Sequence, residues 1–223
     1  ARVYCWAGEY GNAYKEAKEV VDATYSTGST STASCFNFSN SLTTNRKDYN
    51  SIIMTFFKST CYEDYLPYMT KGNDVVLVVN TTNLFGDEAG ADDRNLDLFG
   101  DWDGGDIKYS FKYDIKEGTS GTDMIPAIRL SEMYYIMGEY FAYKDEFSKA
   151  GEMLDKVRYA RGISTTNLAS SIGSLEVFHT HLIKEMRREF VGEGQMFFQY
   201  KRLDQKPKDN VVFVFDKPNN EDI

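Results

Sequence analysis

Between Pro126 and Phe190 the apolar residues recur every three or four positions, and this run decides what the chain can fold into. Leu130, Met133, Tyr134, Met137 and Phe141 fall at i, i+3, i+4, i+7 and i+11, the stripe of an amphipathic helix. Pro126 stands just ahead, where a helix entry tolerates proline. A second stripe, Phe147, Ala150, Leu154 and Val157, ends near Gly162. A third, Leu175, Phe178, Leu182, Met186 and Phe190, stops at Gly192. The opening "ARVYCWAGEYGNAYKEAKEVVDA" predicts two more helices joined by a tight turn, with Gly8 and Gly11 bracketing it. Val3, Trp6 or Ala7, and Tyr10 share one stripe, which makes Trp6 a core residue; Ala13, Ala17 and Val20 form another. Helices with such stripes must cover them against one another, so the expected fold is mainly α.

The middle reads differently. "STGSTSTAS" (26–34) is a polar loop, while "SIIMTFF" (51–57) and "DVVLVVN" (74–80) are apolar runs of strand length. Residues 86–106, "GDEAGADDRNLDLFGDWDGGD", are acidic and Gly-rich and predict an irregular loop; "IKYSFKY" then alternates as an extended segment. The expected organisation is a helical hairpin (1–25), a long irregular insertion with short strands (26–125), C-terminal helices (126–203) and a tail (204–223). "GEYGNAYKEAKEVV" and "DEFSKAGEMLDKVR" share an aromatic, an Ala three later and an Ala or Leu four after that. Small and aromatic positions interlock in this way in tetratricopeptide-like helical hairpins.

The net charge of −9 argues against nucleic acid, which needs a basic face. No 18-residue apolar run suggests a membrane span. Three scattered cysteines, Cys5, Cys35 and Cys61, lack metal-ligand spacing and are an odd number for a disulfide framework. No phosphate-binding glycine loop, nucleophile elbow or dinucleotide fingerprint is present, so no cofactor is expected. The opening residues read as the middle of a helix without a cap, so the natural start is expected upstream of Ala1.

Three segments occur in a recognisable order: "IPAIRLSEMYYIMGEYFA", "FSKAGEMLDKVRYARGI" and "LIKEMRREFVGEGQMFFQYKRL". The positions that carry the pattern are Pro126, Arg129, Leu130 and Glu132; then Ala150, Leu154, Val157, Arg158, Arg161 and Gly162; then Glu185, Arg187, Arg188, Glu189, Phe190, Gly192, Glu193, Gly194, Phe198 and Arg202. Together they resemble the C-terminal region of the SusD/RagB family, and "ADDRNLDLF" resembles that family's Asp–Arg segment. The family's "PIP…E" ending is matched only by Pro218 and Glu221, and family members are usually much longer. The resemblance implies a SusD-like α-α superhelix and no catalysis. It implies a surface lipoprotein of the bacterial outer membrane, anchored through a lipidated N-terminus absent from this chain. Such proteins capture nutrients, mostly glycans, for a SusC-like TonB-dependent transporter.

The residues themselves constrain the chemistry. Glu185, Arg187, Arg188 and Glu189 lie within about one helical turn. Two glutamates so placed cannot flank a glycosidic bond, so they are expected to form ion pairs that tie the helices together. Phe197, Phe198 and Tyr200 are expected to pack back after the Gly192–Gly194 turn. His179 and His181 point about 200° apart and cannot share a metal from one helix. "DWDGGD" fails the EF-hand pattern at Gly105 and Lys112, leaving a solvated acidic loop or a looser calcium site. Sugar binding needs exposed ring faces and hydroxyl partners, which irregular segments can present. Tyr62, Tyr65, Tyr68 and Trp102 are the candidate rings; Asp101, Asp103 and Asn73 are the candidate polar partners. The alternatives are a helical module that binds peptide or protein ligands, marked by exposed apolar stripes, and a glycosidase, marked by two carboxylates facing across a cleft.

Overall fold

The computed structural model describes residues 1–27, 31–60, 63–65, 78–101, 107–110, 112–113, 124–165 and 167–204. The chain opens with α1 (Arg2–Ala7) and α2 (Tyr10–Asp22). Gly8 alone makes the turn between them, at φ 80°, a left-handed value that glycine adopts without a Cβ clash. Gly11 lies inside α2 rather than in the turn. After α2 a small antiparallel ribbon, β1 (Thr24–Ser26) with β2 (Thr32–Ser34), flanks the loop expected there.

The expected strand at 51–57 is β3 (Ile52–Phe57). It pairs antiparallel with β7 (Met124–Arg129), in an irregular register running from Ile52 opposite Arg129 to Phe57 opposite Met124. Pro126 is therefore a strand residue opposite Thr55, and the helix begins only at Leu130. A two-stranded ribbon has only edge strands, where a missing N–H costs little. A second sheet has the order β4–β6–β5, from Val78–Asn80, Ile107–Ser110 and Phe99–Asp101.

Part of the acidic segment expected to be irregular is helical. After α3 (Thr81–Phe85), it holds a 3-10 turn (Gly86–Glu88) and α4 (Asp93–Leu98). The side chain of Asn80 accepts from the Asn83 N–H and that of Asp92 from the Arg94 N–H, satisfying helix-start donors that would otherwise lack partners. Leu84, Phe85, Leu98 and Phe99 anchor the segment in a small apolar core with Leu42.

Four helices complete the frame: α5 (Leu130–Ala142), α6 (Phe147–Ala160), α7 (Leu175–Glu189) and α8 (Met196–Asp204). α5 is packed by α2 on one side and α6 on the other. The shared aromatic–Ala pattern marks these two flanking helices, since Ala13, Ala17 and Ala150 are fully buried. The main core joins Tyr135, Leu154, Val157, Phe178, Leu182 and Met186, the predicted stripes of α6 and α7 facing α5. Beyond α6, Gly162 adopts φ 85°, and a Cβ there would stand 2.6 Å from the Ala91 carbonyl oxygen. Only glycine allows the end of this helix to meet the segment entering α4.

Candidate functional site

Three charged residues of α7, Glu185, Arg188 and Glu189, are inside the molecule, while Arg187 is exposed. Arg94 donates to Asp92 (2.7 Å) and to Glu185 (2.9 Å). Arg161 donates to Glu189 (2.6 Å) and to Asp48 (2.7 Å). Arg158 and Arg188 each reach Glu88 at 2.6 Å. Lys112 donates to Glu193 at 2.6 Å, and Arg129 pairs with the same carboxylate. Except for Glu88, these groups are almost fully buried.

Burial alone would raise the Glu189 carboxyl, but Arg161 and then Arg94 hold it well below the usual carboxylate range. Burial pushes Lys112 below the usual lysine range, and the charge of Glu193 opposes that. The expectation of helix-tying ion pairs is met for Glu185, Arg188 and Glu189, but the partners come from elsewhere: Asp48, Glu88 and Arg94 from the middle of the chain, Arg158 from α6 and Arg161 from just past its end. Glu185 and Glu189 do not face a cleft as an acid–base pair. His179 is buried on α7, burial lowers its pKa and that of His181, and no metal-binding cluster occurs among the described residues.

Of the seven candidate sugar contacts, Tyr65 and Asp101 fall within the described residues; Tyr62, Tyr68, Asn73, Trp102 and Asp103 lie outside them. Tyr65 is half-buried, with one ring face stacked on Tyr113 at 4.7 Å and 12°. Lys47 places its ammonium 5.0 Å from the Tyr113 ring, a cation–π contact. Asp101 ends β5 opposite Lys108, with a 3.7 Å ion pair and a largely exposed carboxylate. Beside it the Tyr109 ring lies over Gly100, where a Cβ would meet it at 2.8 Å.

A concavity among the described residues lies elsewhere. A groove of ≈ 560 Å³ runs between α1, the β3–β7 ribbon and α8, lined by Val3, Trp6, Phe56, Ile125, Pro126 and Phe198. Trp6 and Phe198 approach at 6.1 Å between ring centres. Both were expected to be covered, yet Trp6 is 41% and Phe198 51% exposed, with Val3 at 80%. Phe197 is likewise outside, bordering a second depression of ≈ 350 Å³ with Leu84, Phe190 and Met196.

On α8 the buried side chains are Gln199, Arg202 and Leu203. Arg202 donates to Glu139 at 2.6 Å and to Gln199 at 2.9 Å. Phe197 and Phe198 thus face out of this helix, while Leu203 is buried beside Gln199 and Arg202. The signal for this was available in the sequence: adjacent Phe197 and Phe198 sit about 100° apart on a helix and cannot both face one neighbour.

This frame of paired helices, carrying short sheets and an ionic core, defines a mainly α helical-hairpin protein. The chain belongs to the SusD family, whose sequence model matches residues 1–220. Solved structures with the same fold include a SusD superfamily protein of Bacteroides thetaiotaomicron, at 24% identity and TM-score 0.64, covering 91% of this chain and 48% of that one. Surface glycan-binding protein A from Bacteroides uniformis is similar at 16% identity and TM-score 0.63, covering 93% and 48%. A SusD-like carbohydrate-binding protein from Bacteroides vulgatus is similar at 18% identity and TM-score 0.58, covering 92% and 44%. The chain therefore spans about half the length of these structures. Among curated protein sequences, none matches.

Proposed function

We propose that this chain belongs to a non-catalytic glycan-binding protein of the bacterial cell surface that hands its ligand to a SusC-like TonB-dependent transporter in the outer membrane. Membership of the SusD family over residues 1–220 carries this reading. Relatives of the same fold are named as a surface glycan-binding protein and a carbohydrate-binding protein. The state of the glutamates supports a binding role: Glu185, Glu189 and Glu193 are held by buried arginines and a lysine. For Glu189, Arg161 and Arg94 hold the carboxyl well below the usual range, which disfavours its use as a general acid. None of the described helices is long and apolar enough to cross a membrane.

The proposed glycan contacts are Trp102, Tyr62, Tyr65 and Tyr68 as stacking rings, with Asp101, Asp103 and Asn73 bonding hydroxyls. Tyr65 would use the ring face turned away from Tyr113. Affinity electrophoresis of the anchor-free protein through gels containing plant, host or microbial polysaccharides tests this. One polymer is expected to retard the protein, and Trp102→Ala to abolish the retardation. Retardation by none, or turnover of any polysaccharide, overturns the reading.

A further inference from the structure

The ionic core at the end of α7 holds a small cavity of ≈ 10 Å³. Its cations are Arg46, Arg94, Lys112, Arg129 and Arg161, and its carboxylates are Asp48 and Glu189. All of these except Arg46 are buried. Behind the lining, Glu193 is shared by Lys112 and Arg129, and Asp92 and Glu185 serve Arg94. Among the described residues, the wall that faces the cavity therefore carries five positive charges and two negative ones.

Two of these cations keep donors that no described residue uses. Arg161 gives its Nε to Glu189 (3.1 Å) and its Nη2 to Glu189 and Asp48, but its buried Nη1 has no hydrogen-bond partner among the described residues. Lys112 has three N–H donors on its ammonium and spends two, on the Glu189 carbonyl (2.9 Å) and the Glu193 carboxylate (2.6 Å). A buried donor left bare is costly, and such a group in a folded protein calls for a bound partner. The carboxylates of the wall are engaged: Asp48 accepts from the Ser39 N–H and from Arg161, and Glu189 from Arg94 and Arg161. A water would bring two more protons to a wall that is already rich in them. An anion brings acceptor capacity alone and offsets the excess of positive charge. The volume is that of about one water-sized particle, too small for phosphate, sulfate or a carboxylate.

We propose that this cavity is a binding site for one monatomic anion, a halide such as chloride, held by Arg161 Nη1 and Lys112 Nζ. Burial pulls the Lys112 ammonium below its ordinary range; Glu193 opposes that, and the charge of Arg129 adds to it. An anion between them relieves the repulsion from Arg129 and returns Lys112 toward its ordinary range. The bound ion joins separate stretches of the chain: α4 through Arg94, the end of β7 through Arg129, the residue after α6 through Arg161, and Lys112 beyond β6. These stretches come together only in the folded chain, so the ion stabilises the folded state by mass action. The inference does not rest on the glycan reading, since none of the proposed sugar contacts lines the cavity.

Bromide tests the site directly, because its anomalous scattering separates it from water. Crystals of the whole protein that carries this chain, grown in sodium bromide, are expected to show an anomalous peak within hydrogen-bonding reach of Arg161 Nη1 and Lys112 Nζ. Thermal melts of the same protein in sodium chloride and in sodium gluconate, at equal ionic strength, supply the solution measurement. Chloride is expected to raise the midpoint by about 1–2 °C for each tenfold increase above its Kd, and gluconate, too large for the cavity, is expected not to. Lys112→Met should flatten the chloride series onto the gluconate one, whatever it does to the midpoint itself. Density at the cavity without an anomalous signal means a buried water and overturns the proposal. Peaks on the surface alone mean an adventitious ion only, and overturn it too. A peak in the cavity with identical melts in the two salts means binding at crystal concentration only, and also overturns it. The wild-type measurements decide the matter even if Lys112→Met does not fold.

Discussion

The ionic core around α7 and the groove beside α8 reverse the usual assignment of residues. In the first, arginines and carboxylates are sealed inside; in the second, tryptophan and phenylalanine face out. Burial is tolerable in the core because nearly every charge meets an opposite one at hydrogen-bond distance. Exposure in the groove is not compensated among the described residues. One region satisfies its own charges, and the other leaves its rings open. Position in the molecule, not residue type, tells them apart.

The largest effects are expected where a buried charge loses its partner. Glu189→Ala takes one carboxylate from both Arg94 and Arg161, leaving Asp92, Glu185 and Asp48 as their partners, and should cost about 3 kcal/mol, read by urea denaturation. A loss below about 1 kcal/mol would mean the network is wetter than its geometry implies. Close behind is the apolar core: Leu182, fully buried, truncated to alanine should cost about 2–5 kcal/mol.

The acid limb sharpens the contrast. Burial pushes Glu88 up from 4.5, but Arg158 and Arg188 outweigh that and hold it at about 2. Its folded value lies below its unfolded one, so its stabilisation is present above pH 4.5 and is lost as pH falls toward 2. Thermal melts should be flat down to about pH 5 and then decline, and Glu88→Gln should be less stable at pH 7 with a shallower decline. The smallest effect belongs to the groove: Trp6→Ala should change the stability of the 1–223 chain by less than about 1 kcal/mol. A larger loss would show that Trp6 is a core residue after all and break the comparison.

The stripes of α6 and α7 were legible because burial on one side of a helix leaves a 3.6-residue period. Ala13 and Ala17 were legible for the same reason. Trp6 was misread because a six-residue helix carries too few turns for its stripe to identify the covered face. Pro126 was misread because proline tolerates both a helix entry and an edge strand. The acidic segment looked irregular because Asn80 and Asp92 announce helices of only five and six residues, too short to show a period. Of the proposed sugar site, the sequence names residue types suited to the task.

What the sequence by itself determined is local: where the long helices run, where glycine ends them, and that Glu185, Arg188 and Glu189 would be paired. What only the tertiary structure decided is which groups meet. Arg94 and Glu185 are 91 residues apart, and Arg161 and Asp48 are 113 apart. Periodicity reports the environment of a residue averaged along its own helix. The partner of a charge, or the cover of a ring, is set by chain that returns from far away, and no local pattern encodes that distance.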